Sequence, residues 1–180
     1  MSDQSMNTPY KETLTAFDQA YTAFLAAFGQ APDAALGYVP PGDEYALGVL
    51  LPHLEDTLQH YTKVLQQMQR ANFAPLDLGS TAEQEASARR HAFLVAQRPT
   101  GADRARMLAE LASKHQMAME ELAGVNEAAS TRAAPVIYSA GSAPYPTSAR
   151  DILGWLSDHY REHTAQIQAM LAQWRAEAHH

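Results

Sequence analysis

The chain has 180 residues, 46% of them hydrophobic and 18% charged, with no cysteine and a formal charge of −7 from 20 acidic against 13 basic residues. That length suits one domain with a real core, and no stretch comes near the roughly 20 uninterrupted apolar residues of a bilayer span, which argues against a membrane protein. The basic residues are scattered, which argues against a phosphate-tracking nucleic-acid surface; without cysteine there are no disulfides and no thiolates, so any metal must rest on nitrogen and oxygen.

The N-terminal stretch MSDQSMNTPYKE has no basic region followed by an apolar one, so a cytoplasmic location is expected. Thr8 as N-cap and Pro9 at the first helical position open a helix whose apolar stripe is Tyr10, Leu14, Phe17, Tyr21, Phe24, Leu25 and Phe28. Gly29 ends it, and Gln30 to Gly42, with Gly37, Pro40 and Pro41, reads as a loop. A second helix is expected from about Asp43 to Arg70, with Leu47, Leu51, Leu54, Leu58, Tyr61, Leu65 and Met68 in register; Pro52 should kink it beside His53 or mark its true start. Ser80 with Glu83 forms a capping-box pattern opening a shorter, polar segment that ends before Pro99.

Thr100 with Asp103 opens the third long helix, with Leu108, Leu111, His115, Met119 and Leu122 on its stripe. The stretch from Gly124 to Pro146 is long for a connection, so it either crosses the bundle or contributes to a site. The last helix starts at Thr147 or Ser148, holds Asp151 in its first turn, and carries Ile152, Leu156, His159, His163, Ile167, Met170 and Trp174. No alternation of β period has useful length. The fold class expected is all-α: one four-helix bundle domain over residues 1–178 with long crossover connections, leaving His179 and His180 as a tag remnant.

Eight histidines are the informative excess. His159 and His163 are four residues apart, so on a helix they point within about 40° of each other on successive turns. Both occupy the apolar stripe, where two unpartnered rings in a dry interior would leave several polar atoms to satisfy. A shared metal ion satisfies them; hydrogen-bonded core histidines are the simpler alternative. A third ligand is sought on another helix: His53 beside Pro52 is the first candidate, His60 on the same shoulder the second. His115 reads as a hydrogen-bonded core residue. Asp56 could accept a proton of the His53 ring and orient it, point at the metal, or be an exposed acidic residue. His159-Tyr160-Arg161-Glu162-His163 also matches the inverted zinc-protease string, but too little chain follows for a downstream ligand, and Glu162 reads as a solvated neighbour.

With Leu51-Pro52-His53-Leu54-Glu55-Asp56 in the second helix and Asp151 through Leu171, DILGWLSDHYREHTAQIQAML, in the last, the chain resembles the DinB-like superfamily, the four-helix metal proteins of the DinB and YfiT type. The resemblance implies one divalent ion, zinc or nickel, on His53, His159 and His163. It further implies a thiol-dependent S-transferase that joins an external low-molecular-weight thiol to an electrophilic substrate. Three imidazoles leave a coordination position open, as at catalytic sites, so a metal-dependent hydrolase is the chemical alternative and a metal-stabilised stress-response protein without turnover the third. Wide apolar stripes on the first and third long helices suggest a homodimer.

Overall fold

Aromatic residues spaced three and four apart build α1 (Tyr10–Phe28), in which Phe17, Phe24 and Phe28 are fully buried, each contributing on the order of 2 kcal/mol through the apolar surface removed from water. The structure, a computed structural model, describes residues 9–178. Pro9 takes the cap position of α1, one place outside its expected first turn; the cap expected at Thr8, and His179 and His180, lie outside the described residues.

A 3₁₀ turn (Leu47–Val49) leads into α2 (Leu50–Arg70), which therefore starts later than Asp43. Pro52 is the third residue of α2, in the first turn, where an amide has no intrahelical acceptor to lose. Of the two outcomes expected for Pro52, the structure shows the start of the helix. His53 follows in the same turn.

After a two-residue strand β1 (Leu76–Asp77), Ser80 caps α3 (Thr81–Ala96) by accepting the Glu83 amide at 3.3 Å. Leu94 is the buried residue of this polar helix, packed with Ala46 and Val49 ahead of α2. A 3₁₀ turn (Gly101–Asp103), held by the Asp103 carboxylate accepting the Thr100 amide at 2.9 Å, opens α4 (Arg104–Ala123).

The stretch from Gly124 to Pro146 carries structure that was not expected: a short helix α5 (Glu127–Ser130) and strands β2 (Ala134–Ile137) and β3 (Tyr145–Thr147). β2 pairs in parallel with β1, Leu76 opposite Val136, and antiparallel with β3, Ala134 opposite Thr147. The small sheet thus ties together the connections on either side of α3 and α4. Ser148 and Asp151 then cap α6 (Ala149–Ala178): the Asp151 carboxylate accepts the Ser148 amide at 2.8 Å, and Ser148 Oγ accepts the Asp151 amide at 3.2 Å.

The four long helices pack in the cyclic order α1, α6, α2, α4, with α1 closest against α6 and α2 against α4. The α1–α2 and α4–α6 links therefore join diagonal helices, which is why both are long. The fold is an all-α bundle with long crossovers, carrying a small sheet on its connections. Among the described residues no helix is long and apolar enough to cross a membrane.

Candidate metal centre

α2 and α6 lie side by side, and their facing surfaces bring His53 against His159 and His163. The helical repeat sets the two α6 rings edge to face, with centroids 4.4 Å apart. His53 enters from the first turn of α2, its ring 5.0 Å from each of them. His159 Nε2 lies 3.1 Å from His53 Nε2 and 3.3 Å from His163 Nε2, and one ligand atom from each ring falls within 4.8 Å of the others. Tetrahedral coordination with metal–nitrogen bonds of about 2.0–2.1 Å puts neighbouring nitrogens about 3.3 Å apart, so the two contacts of His159 have the spacing such an ion needs.

Electrostatics point the same way. Burial, reinforced by the His163 and His159 rings, pulls the His53 pKa down to about 3, and burial with His163 pulls His159 down to about 4. Burial also lowers His163, opposed by its bond to Gln166. The three rings are neutral at pH 7, and one Nε2 proton at most can serve each contact. Lone pairs left facing one another are what a bound cation relieves.

The surroundings fix the rings. His163 Nδ1 lies 2.7 Å from Gln166 Oε1, and Gln166 Nε2 donates to Asp43 Oδ1 at 2.9 Å. The Tyr45 ring packs 4.9 Å from that of His53, and its hydroxyl is 2.8 Å from His91 Nδ1 on α3. Thr57 donates to the His53 carbonyl at 3.1 Å and sits 3.3 Å from His159 Nε2. Asp43, Tyr45, Thr57, His91 and Gln166 carried no signal that singled them out; Gln166, three residues past His163, and Thr57, four past His53, had helical spacings that could have placed them.

The other candidates fall elsewhere. Asp56 pairs with Arg90 Nε at 3.1 Å. Glu162 is exposed, 3.8 Å from His159 Nδ1, on the far side of that ring from the converging nitrogens, so it does not stand as a general base there. His115 is a hydrogen-bonded core residue, 3.2 Å from the Tyr160 hydroxyl and 3.3 Å from Asp18 Oδ1, stacked on Tyr21 at 3.9 Å. His60 lines a cavity of about 350 Å³ with Tyr61, Trp155, Ser87 and Arg90, and His159 forms part of its wall. A second cavity, about 670 Å³, continues from it between α2 and α3 past Asp56 and Arg90 to Tyr138.

In comparisons with known proteins, no curated protein and no solved structure matched the chain. The model of the DinB superfamily matches residues 16–167, from α1 through the histidine pair of α6. Covering most of the chain and all of the candidate centre, that match shows that the chain belongs to the DinB superfamily.

Proposed function

We propose that the protein binds one divalent ion, zinc or nickel, on His53, His159 and His163 and uses it to transfer a low-molecular-weight thiol to an electrophilic small molecule. The observation that carries the metal reading is the convergence of three neutral imidazole rings, with one ligand atom of each within 4.8 Å of the others, beside an open cleft. Transfer, as opposed to another reaction, rests on membership of the superfamily. A bound divalent ion supplies Lewis acidity that favours the deprotonated form of a thiol or water brought to its open position.

The chain's own residues define what can reach that position. Tyr61 and Trp155, with ring centroids 5.4 Å apart, form an aromatic wall next to His159. Across from it the Asp56–Arg90 pair and Ser87 are polar. An elongated substrate with an apolar reactive end and a polar tail matches this division, the apolar end against Trp155 and the tail in the wider chamber towards Gln59, Lys63 and Gln84. In the transfer the thiol sulfur bonds to the electrophilic carbon, the displaced group leaves with its bonding pair and the thiol proton passes to solvent. The chain needs no nucleophile of its own.

Elemental analysis and turnover of a chlorinated arene with an added thiol test the proposal together. One equivalent of metal is expected in the wild-type protein and in His60→Ala, and none in His159→Ala or His163→Ala. A full equivalent retained in His163→Ala sinks the ligand assignment. Metal binding with no turnover by any thiol supports the non-catalytic alternative, in which the ion joins α2 to α6; turnover of an ester or amide without thiol supports the hydrolase.

A further inference from the structure

The hydrogen bonds behind His163 set which of its nitrogens is free. Asp43 precedes α2 and Gln166 lies on α6, 123 residues apart in sequence, and the Gln166 amide bridges Asp43 Oδ1 at 2.9 Å to His163 Nδ1 at 2.7 Å. A carboxylate only accepts hydrogen bonds when ionised, so it takes the NH₂ end of the amide; the flipped amide would set its oxygen against the carboxylate. Gln166 Oε1 must then face the ring, and an amide oxygen only accepts. His163 Nδ1 is therefore the protonated nitrogen and Nε2, 3.3 Å from His159 Nε2, carries the lone pair.

We infer that Asp43 and Gln166 act as positioning residues that hold His163 in its Nδ1–H form, so that its Nε2 is committed to the metal before the ion arrives. This rests on the three-histidine reading proposed above, but half of it can be tested without any ion. The same loop packs Tyr45 against His53. Residues 43–45 thus brace two of the three candidate ligands from outside the bundle.

The first measurement is nitrogen NMR of the metal-free protein at pH 7.5, assigning the His163 tautomer. Nδ1–H is expected in the wild type, with loss of that single-tautomer signature in Gln166→Leu and Asp43→Leu. Asp43→Asn, whose side-chain oxygen can still accept from Gln166, should retain it. A wild-type His163 protonated on Nε2, or a Gln166→Leu spectrum identical to wild type, overturns the inference.

The second measurement is zinc affinity by chelator competition, with far-UV circular dichroism to show that each variant is folded. Gln166→Leu should weaken zinc binding by about 10–100-fold, the range found when partners behind ligating histidines are removed, and Asp43→Asn by much less. If no variant or wild type binds zinc while the tautomer result holds, the metal reading has failed and the relay stands. Unchanged zinc affinity in a folded Gln166→Leu overturns the positioning role.

Discussion

Glu55 has a buried oxygen, Oε1, with no hydrogen-bond partner among the described residues. Burial, with Glu110 adding and Lys114 and Arg106 opposing, raises its pKa to about 7. In the unfolded chain the carboxyl ionises near its ordinary value of about 4.5, so the unfolded state gives up its proton first as pH rises. Stability from this group is thus present below about 4.5 and lost as pH climbs towards 7. Glu55→Gln keeps the shape and cannot ionise. Thermal denaturation of the metal-free variant should show a melting temperature a few degrees above wild type at pH 8 and equal to it at pH 4. Equal melting at both pH values would mean that Glu55 titrates as an ordinary surface carboxyl. At this scale the sequence made His159 and His163 legible, because helical spacing and an apolar stripe are local facts. His53 needed the family pattern, since a histidine on a helix shoulder looks the same whether it faces water or a neighbour. Asp43 was not legible, because the bond that ties it to Gln166 spans 123 residues.

Elements with strong local punctuation were readable. Thr100 and Asp103 announce the start of α4, and Pro52 marks the first turn of α2, because caps and prolines act on their own turn. The sheet was not readable: its strands are two, four and three residues long, too short for an alternating pattern to emerge, and Pro135 and Pro146 sit within them. Where β1 ends, tertiary contact replaces pattern. Leu78 donates its amide to the Ile137 carbonyl at 2.8 Å, and a Cβ on Gly79 would fall 2.7 Å from the backbone of Ser139 and Ala140. Main chain cannot swing aside as a side-chain tip can. Gly79→Ala is expected to cost about 1–3 kcal/mol, the usual range for overpacking, read as a lower denaturation midpoint in urea. The helices should persist, since β1 pairs with a connection and only Leu76 and the adjoining Leu78 rest against the core. An unchanged midpoint would show that the 139–140 backbone yields freely.

At the scale of the whole molecule, the order α1, α6, α2, α4 places diagonal partners on either side of two long links. The core that holds them runs through Phe17, Phe24, Leu58, Tyr160 and Ile167. The apolar stripe of α1 is spent inside this bundle, leaving Phe93, Met117 and Tyr145 as the large exposed apolar side chains among the described residues. α2 and α6 have a narrower mutual contact than α1 with α6 or α2 with α4, and it is at this seam that the three histidines meet. An ion bound there adds a cross-link at one of the two narrow seams of the bundle, and it binds the folded state alone because the unfolded chain does not assemble the site. Mass action then fixes the size of the effect: free zinc at a hundred times its dissociation constant should add about 2.7 kcal/mol of stability. The melting temperature should rise with the logarithm of free zinc above that constant. His163→Ala should remove the dependence and His60→Ala should keep it. A rise of equal size in His163→Ala would place the stabilising ion somewhere other than the α2–α6 seam.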